Sequence, residues 1–339
     1  NDHSIVSCHM KKYTKYIILI FFILLKNYSC SYLFAQAKID SLENLLKTAK
    51  EDTNKVNILN ALSSELRNSD FEKMLIYAKE ALLLAKKLND KLGMSASMNN
   101  MGNSYTSIGD YTNGLNYYLK ALMIREEIDN KNGIARLLNN IGTIYFFLGN
   151  TEKSIEYFLR SLKILEELND LGGLSASFNN VGGVYRMQKK YDKALKYFMK
   201  ALDISKEIDD KKTKGAALNN IATIHYDQHH FEKAKEYLIK SLKIKQEIGD
   251  KKGMALSLNS LGSVYHELGN IKKAFIYHKK SLSIAKEIGS KPLLKSCYES
   301  LARRYSDGNN YKKAYYYHQL YAQVKDSLFN EEKARSEEH

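Results

Sequence analysis

The most constraining feature of this sequence is a repeat of forty residues that keeps its register along most of the chain. One equivalent position is always leucine, at Leu82, Leu122, Leu162, Leu202, Leu242 and Leu282. The register holds without an insertion from about Lys55 to about Phe329. A fixed period of about 20–50 residues is typical of stacked supersecondary units that share one continuous core. We therefore expect a solenoid, which usually supplies a binding surface and seldom a catalyst.

Each repeat contains two stretches in which apolar residues recur at helical spacing. In residues 93–132, the first stretch places Met98 and Tyr105 on one face, and the second places Tyr118 on its inner face. Gly133 follows the second stretch and suits a turn position that requires positive φ. The fold class predicted is all-α, a right-handed superhelical solenoid of about seven antiparallel helix pairs.

The chain carries a formal charge of +14, with an isoelectric point near 9.3. Its basic residues are mostly spread through the second half of each repeat, where Glu and Asp dilute them, as in residues 232–245. We interpret them as solvated outer helix faces. No nucleic-acid partner is expected, because the cations are not clustered on one face with aromatic residues between them. Weak attraction to an anionic membrane surface stays open.

The first 35 residues have the pattern of a secretory signal peptide preceded by a few upstream residues. Lys11, Lys12 and Lys15 form a basic region, residues 17–25 are apolar, and Ala35 offers a small residue for cleavage. The apolar run is shorter than the roughly 20 residues that a membrane-spanning helix needs. We expect export to the periplasm or cell envelope. Membrane association is expected only through an uncleaved signal segment or a segment missing downstream.

The sequence divides into four segments. They are residues 1–35, upstream residues and signal peptide; residues 36–52, a capping helix; residues 53–329, an array of seven repeats; and residues 330–339, a C-terminal tail or the start of a helical linker. The last repeat, from Leu293, departs from the pattern, as expected of a terminal unit with one face in solvent.

Small and aromatic residues recur within the repeat in a fixed order. One repeat has Gly182, Tyr185, Ala194, Phe198 and Ala201 in this order. The pattern resembles the tetratricopeptide repeat. The resemblance implies that small residues lie where two helices approach closely, and that aromatic residues fill the gap between successive helix pairs. The longer period and the missing terminal proline resemble the forty-residue variety found in peptide-binding scaffolds of the Leu-Gly-Asn type and, more loosely, in kinesin light chains.

Asparagine occupies one position in five successive repeats, at Asn99, Asn139, Asn179, Asn219 and Asn259. Asn is a poor residue for the interior of a helix, so this first column needs a reason. The resemblance implies that the first helices line a concave groove, where each amide offers a donor and an acceptor to an extended peptide. The alternative is that these residues bond to neighbouring repeats and stiffen the solenoid. We give that structural role to a second column, Asn100, Asn140, Asn180 and Asn220.

The groove positions beside the asparagines vary between repeats. One position holds Thr106, Phe146, Arg186, Tyr226 and His266, and the next holds Ser107, Phe147, Met187, Asp227 and Glu267. Variation within a constant frame gives a repeat protein its specificity. The candidate partner-binding residues are therefore the first asparagine column with Phe146, Arg186, Tyr226 and His266, and the expected partner is a peptide or protein ligand.

No motif in the sequence points to catalysis, a cofactor or a metal. His225, His229 and His230 lie close in sequence, but His225 falls at an aromatic position of the repeat and the other two fall in a turn. No metal site is expected there. No phosphate-binding loop or nucleophile set stands out, so the chain is not predicted to be an enzyme.

Both ends of the chain resemble the exported repeat region of bacterial tetratricopeptide-repeat sensor proteins. The similar stretches are residues 39–63 and 315–339. In that class the repeats precede a membrane helix and an output domain, such as a histidine kinase, a nucleotide cyclase or a DNA-binding regulator. Two hypotheses follow: an exported scaffold that binds a peptide or protein segment, or the sensory region of a truncated signal-transduction protein.

Overall fold

A computed structural model describes residues 36–68 and 70–337 of the chain. Every regular element among these residues is helical, which confirms the all-α prediction. The predicted signal peptide, residues 1–35, lies outside the described residues. Within the described part of the chain, no helix is both long enough and apolar enough to cross a membrane.

The helices follow one another in pairs joined by short turns. Helix α1 covers residues 36–48, and a short 3-10 helix, Leu66–Asn68, follows α2. The other helices are α2 (Thr53–Glu65), α3 (Phe71–Lys87), α4 (Lys91–Ser107), α5 (Tyr111–Glu127), α6 (Lys131–Phe147), α7 (Thr151–Glu167), α8 (Leu171–Met187), α9 (Tyr191–Glu207), α10 (Lys211–Asp227), α11 (Phe231–Glu247), α12 (Lys251–Glu267), α13 (Ile271–Glu287), α14 (Lys291–Asp307) and α15 (Tyr311–Glu337). The pairs from α2–α3 to α14–α15 number seven in the described residues, as the sequence predicts.

The described residues form two compact units, which divide between Gly93 and Met94. In the described part of the first unit, α1 buries Ile39 in a cluster with Leu62 and Met74 from α2 and α3. The second unit carries the groove residues of the sequence analysis.

In the second unit, each helix from α5 to α14 packs against the next one along the chain. The first helices of successive repeats, α6, α8, α10, α12 and α14, also contact one another. Asn140 of α6 also donates to Asn99 of α4, the first helix of the preceding repeat, at 3.0 Å. The first helices from α4 to α14 therefore form a continuous layer, which we call the inner layer. Since the groove residues lie on first helices, the inner layer carries them.

Small residues allow the two helices of a repeat to cross closely. A Cβ atom added at Gly142 would lie 2.8 Å from the ring of Phe158, and one at Gly182 would lie 2.7 Å from the ring of Phe198. Such distances are shorter than real Cβ contacts. Both rings are almost fully buried. The role that the resemblance gives to these small positions is confirmed.

The turns between repeats differ from the sequence expectation at Gly133. The residue with positive φ in that turn is Asp129, at 48°. Gly133 lies inside α6, where its backbone N–H donates to the Oδ1 of Asn130 at 2.7 Å. A Cβ atom there would lie 2.6 Å from Cδ of Arg125. The prediction of positive φ at Gly133 is therefore wrong, because this glycine provides space rather than a left-handed turn.

Candidate functional site

The first asparagine column lies along the inner layer, on α4, α6, α8, α10 and α12, and all five side chains are half-buried. Hydrogen bonds connect it with the second column across successive repeats. The Nδ2 of one asparagine donates to the Oδ1 of another 41 residues earlier, from Asn140 to Asn99 (3.0 Å), from Asn180 to Asn139 (3.1 Å) and from Asn220 to Asn179 (3.0 Å). We call this series the amide ladder. The second column thus has its predicted structural role, and the first column also joins repeats through its carbonyl oxygens.

The amide nitrogens of the first column fall into two groups. The Nδ2 of Asn139 donates to the hydroxyls of Ser161, at 3.2 Å, and Ser177. The Nδ2 of Asn259 donates to the hydroxyls of two serines, Ser296 and Ser300, at 3.2 Å each.

The other three amide nitrogens, those of Asn99, Asn179 and Asn219, have no protein acceptor among the described residues, and they are not buried. These three amides therefore keep donors that a ligand could use. Contact with a partner remains a prediction for the whole column.

The amide ladder stops at Asn219, because the next residue of the second column is Ser260. The Oδ1 of Asn219 instead accepts from the hydroxyl of Ser257 at 3.0 Å and lies 3.5 Å from Nζ of Lys245. In the following repeat, Oδ1 of Asn259 lies 2.8 Å from Nδ1 of His278. Two basic residues from second helices thus replace the amide donors.

Both basic residues are buried, and burial shifts their protonation. It lowers the pKa of the Lys245 amine to about 8. It also lowers the pKa of His278 to about 4, with a smaller contribution from the charge of Arg304. The Nε2 of His278 is buried and has no hydrogen-bond partner among the residues that the structure describes. The neutral forms of both side chains are therefore favoured relative to exposed residues.

A second series of contacts joins three of the variable groove residues to acidic residues 41 positions later. The contacts are Arg186 Nη1 with Asp227 Oδ2 (3.4 Å), Tyr226 Oη donating to Glu267 Oε1 (3.4 Å), and His266 Nε2 with Asp307 Oδ2 (3.5 Å). We call this series the acidic ladder. It places the three predicted groove residues on one edge of the inner layer, each held by the next repeat.

Burial and charge both act on the acidic ladder. Burial raises the pKa of the Tyr226 hydroxyl, and the negative charge of Glu267 adds to this effect. Burial and the nearby cation Arg304 lower the pKa of His266, while Asp307 opposes the shift. Arg304 is itself buried and lies 3.5 Å from Asp307.

The amino-terminal part of this edge is apolar. Phe146 and Phe147 meet edge to face, with ring centroids 5.7 Å apart. Phe147 is 54% exposed and stacks on Tyr111 at 5.4 Å. The structure thus brings together the aromatic pair that the sequence analysis singled out.

His225 occupies an aromatic position of the fold. Its ring stacks on Tyr237 at 5.5 Å, as Tyr185 stacks on Tyr197 in the preceding repeat. Burial lowers the pKa of His225. No group of metal-ligating residues occurs in the described part of the chain.

Sequence reasoning missed Lys245 and His278. The available signal was departure from the repeat columns: Leu165 and Ser205 stand at the positions equivalent to Lys245, and Phe158 and Phe198 at those equivalent to His278. The column of Lys245 also holds Arg125, whose Nε donates to the hydroxyl of Ser95 at 2.8 Å. A basic residue that replaces a buried apolar or small residue of the neighbouring repeat marks a position that packing alone does not explain.

Comparison with known proteins identifies a repeat family. The family described as "Tetratricopeptide repeat" matches residues 93–167, 173–247 and 253–325. No curated protein matches the sequence.

Among solved structures, several share the fold at low sequence identity. The apo form of RapI is 17% identical with a TM-score of 0.65, over 81% of this chain and 99% of that chain. NprR in complex with its cognate peptide NprX is 18% identical with a TM-score of 0.62, over 84% of this chain and 87% of that one. Aspartyl phosphate phosphatase F from Bacillus subtilis is 18% identical with a TM-score of 0.61, over 81% of this chain and 73% of that one. At these identities the likeness shows the fold.

Proposed function

The chain belongs to the tetratricopeptide repeat family, and we propose that it is a non-catalytic scaffold that binds an extended peptide or protein segment along the inner layer. The observation that carries this proposal is the set of accessible amide donors on Asn99, Asn179 and Asn219. They recur in register, so they repeat one contact along the groove. An extended peptide presents backbone carbonyl oxygens that can accept such bonds.

The amide ladder explains how these donors stay in place. The carbonyl oxygen of Asn179 is held by Asn220 at 3.0 Å, so its NH2 group has a fixed direction before a ligand arrives. A donor that is already ordered loses less entropy on binding. Each hydrogen bond to a ligand then contributes about 0.5–1.5 kcal/mol.

The edges of the inner layer supply side-chain selectivity. Phe146 and Phe147 offer an apolar contact, whereas Asp227 and Glu267 belong to the acidic ladder. A segment with an apolar residue toward the amino-terminal repeats fits this order. The structure of NprR, which is bound to its cognate peptide, supports a peptide ligand for a chain with this fold.

The proposal that the chain is non-catalytic is supported by the contacts that the ionisable groove residues make with other residues of the chain. Arg186, Tyr226 and His266 each contact an acidic residue of the next repeat, which suits a structural role. The fold also occurs in a protein named as an aspartyl phosphate phosphatase. Phosphate release from acetyl phosphate is therefore the activity to measure, and we expect none above a boiled control.

Export is part of the proposal and is supported by the signal-peptide pattern of residues 1–35. N-terminal sequencing of protein recovered from its own cells tests it. We expect a start at or near residue 36. Recovery of a soluble cytoplasmic protein that retains Lys11 and residues 17–25 would contradict export.

The binding proposal is tested by Asn179→Asp. The substitution keeps an oxygen for the Nδ2 of Asn220. It replaces the amide donor with a second oxygen and adds a negative charge, which the matched control adds as well. Binding is measured by fluorescence anisotropy with a heptapeptide selected from a random synthetic library. We expect about 2–13-fold weaker binding, the equivalent of one hydrogen bond.

The matched control is Asn116→Asp, which makes the same chemical change at an exposed position of the second helix α5. It should leave the affinity unchanged. Equal affinities for Asn179→Asp and the wild type would contradict groove binding, as would selection of no heptapeptide.

A further inference from the structure

The second helices of the last repeats carry an excess of lysine. Helix α13 contains five lysines and one acidic residue, Glu287, and in α15 no acidic residue precedes Asp326. Helix α7, the second helix of an earlier repeat, contains three basic and four acidic residues. Positive charge thus accumulates toward the carboxyl-terminal repeats, and it does so on second helices, whereas the groove residues lie on first helices.

The lysines of α13 share one exposed side of the helix. Lys272 and Lys279 are seven residues apart, which is about two helical turns, and so are Lys273 and Lys280. All four side chains are exposed. The opposite side of α13 is buried in the core, through Ala274, Ser281 and Ala285. Packing therefore fixes the direction in which these lysines point.

These four lysines have no acidic partner. None of them forms an ion pair within the part of the chain that the structure describes, and the acidic residue of their own helix, Glu287, pairs with Lys251 of α12 at 2.7 Å. In an earlier repeat, by contrast, Arg160 of α7 lies 3.9 Å from Glu126 of α5. The exposed side of α13 is thus a surface of uncompensated positive charge.

Helix α15 continues this surface. Lys312 and Lys313 are exposed and stand forty residues after Lys272 and Lys273, so they occupy the same positions of the repeat. The rings of Phe275 and Tyr305 lie 4.6 Å apart, and those of Tyr305 and Tyr317 lie 5.5 Å apart. These rings join α13, α14 and α15 in one packed cluster.

Exposed apolar groups lie among these charges. Ile276 is 51% exposed and lies one helical turn from the lysines on either side of it in α13, and Tyr316 is 55% exposed at the equivalent position of α15. In the three preceding repeats that position holds a charged residue, namely Glu156, Lys196 and Glu236. We call the following set the basic patch: Lys272, Lys273, Ile276, Lys279, Lys280, Lys312, Lys313 and Tyr316.

We propose that the basic patch docks the protein on a membrane surface that contains anionic phospholipids. Clusters of four to eight basic residues attract such a surface. The amines meet the lipid phosphates, while the lysine stems, Ile276 and Tyr316 lie against the boundary between headgroups and acyl chains. This contact is made by the folded repeats, unlike the membrane association that the sequence predicts through a signal segment or a downstream segment.

The composition of the basic patch favours a membrane over nucleic acid. Its cations are all lysines, whereas arginine makes the commonest specific contact with bases. An exposed isoleucine gains nothing from phosphate groups, but it is stabilised when it leaves water at a bilayer surface. The proposal does not depend on what binds in the groove.

Vesicle co-sedimentation of the full chain tests the basic patch. Vesicles of phosphatidylcholine alone are compared with vesicles of equal parts phosphatidylcholine and phosphatidylglycerol, and the neutral vesicles measure any contribution of the apolar residues 17–25. We expect stronger binding to the anionic vesicles. The combined variant Lys272→Gln, Lys273→Gln, Lys279→Gln, Lys280→Gln should weaken this binding by about 100–600-fold, because each cation near such a surface contributes about fivefold.

The matched control removes four lysines from the exposed sides of α9 and α11. It combines Lys193→Gln and Lys233→Gln, at the repeat position of Lys273, with Lys200→Gln and Lys240→Gln, at the repeat position of Lys280. The net charge changes equally, and the control should keep its affinity for anionic vesicles within about fivefold, because distant charges are screened. Equal losses in the two variants would overturn the basic patch and assign the attraction to total charge.

A single tryptophan tests contact with the bilayer. The chain contains no Trp, so Ile276→Trp introduces one fluorophore, and Ile239→Trp places it at the similarly exposed Ile239 of α11. Brominated phosphatidylglycerol in the vesicles should quench the tryptophan at position 276 and leave the one at position 239 unquenched. Equal quenching of both would contradict docking through the basic patch.

Two further outcomes overturn the membrane proposal. One is equal binding of the wild type to neutral and anionic vesicles. The other is tighter binding to duplex DNA than to anionic vesicles, lost in the four-lysine variant, which would assign the basic patch to nucleic acid. Peptide binding in the groove is measured without lipid, so either failure leaves the proposed function in place.

Discussion

Between Asn99 and Asn220 the inner layer is joined by amide-to-amide hydrogen bonds, whereas between Asn219 and Asp307 ionisable groups take over. The first region uses donors and acceptors that carry no net charge between about pH 3 and pH 10. The second contains Lys245 and His278, both buried and both with lowered pKa values. One repeat frame thus supports two chemistries, and only the second should respond to pH.

The two regions pack their helices in the same way but differ in the hydrogen bonds of the packed ring. In both regions a glycine lets a ring from the second helix approach. A Cβ atom added at Gly182 would lie 2.7 Å from the ring of Phe198, and one added at Gly262 would lie 2.7 Å from the ring of His278. The frame therefore tolerates an exchange of phenyl for imidazole. The two rings differ in hydrogen bonding. The Nδ1 of His278 lies 2.8 Å from the Oδ1 of Asn259, whereas the phenyl ring of Phe198 has no atom that can make such a bond.

The largest effect on stability is expected from Phe198→Ala, in the region that is joined by amide-to-amide hydrogen bonds. Phe198 is fully buried against Gly182, and truncation of a buried Phe costs about 3–5 kcal/mol. His278→Ala should lower the free energy of unfolding by less at pH 5. At that pH the buried imidazole already destabilises the wild type, because it stays neutral when folded and is protonated when unfolded. Urea unfolding of both variants at pH 5 measures the difference. Equal losses of stability would show that Phe198 and His278 contribute equally to the packing of their repeats.

The next effect is a pH dependence that is confined to the carboxyl-terminal region. The pKa of His278 is about 4 when folded and about 6.5 when unfolded, so the unfolded chain binds more protons between these values. The contribution of this group to the free energy of unfolding should therefore be complete above pH 6.5 and should be lost as the pH drops toward 4. The loss from this group is on the order of 3 kcal/mol. Arg304 and His266 face the ring and favour its neutral form.

The variant His278→Phe tests whether His278 causes this pH dependence, because it removes the titratable ring. Phe occupies the equivalent position at Phe158 and Phe198, so it should fit against Gly262. Urea unfolding of the wild type and the variant from pH 7 to pH 4.5 is compared as a difference, which cancels the titration of surface carboxylates. The wild type should lose more stability than the variant. Parallel curves would contradict the assignment of the pH dependence to His278.

The smallest effect should come from repair of the amide ladder with Ser260→Asn. The new Nδ2 would donate to the Oδ1 of Asn219, as Asn220 donates to Asn179. One such bond contributes about 0.5–1.5 kcal/mol. Thermal unfolding of Ser260→Asn is compared with that of Ser260→Ala. Equal melting temperatures would show that the ladder does not stabilise neighbouring repeats.

The fold could be predicted because its signals repeat. Leu162 and Leu202 stand forty residues apart, and every repeat carries the same small and aromatic residues. A single irregular residue cannot obscure a pattern that recurs along the array. Helix starts were harder to place, since Gly133 resembles a turn residue in sequence but provides space inside α6.

The candidate site could be predicted only in part. The column of Asn139 and Asn179 was visible as a repeated exception to helix propensity. Which atom of each amide joins repeats and which faces the groove depends on neighbours such as Ser177 and Asn220, which periodicity does not reveal. Lys245 stands where the neighbouring repeats have Ser205 and Ala285, and its hydrogen bonds to Asn219 and Ser257 could not be read from the sequence.

The central claim is that the carbonyl oxygens of the first column hold the repeats together while the free amide groups meet the ligand. Side-chain 15N–1H spectra of the asparagines, recorded with and without a selected heptapeptide, test it most directly. The account predicts that the NH2 signals of Asn179 and Asn219 shift on binding, while those of Asn180 and Asn220 stay in place. Shifts confined to Asn180 and Asn220, or no shift in either pair with the peptide bound, would contradict it.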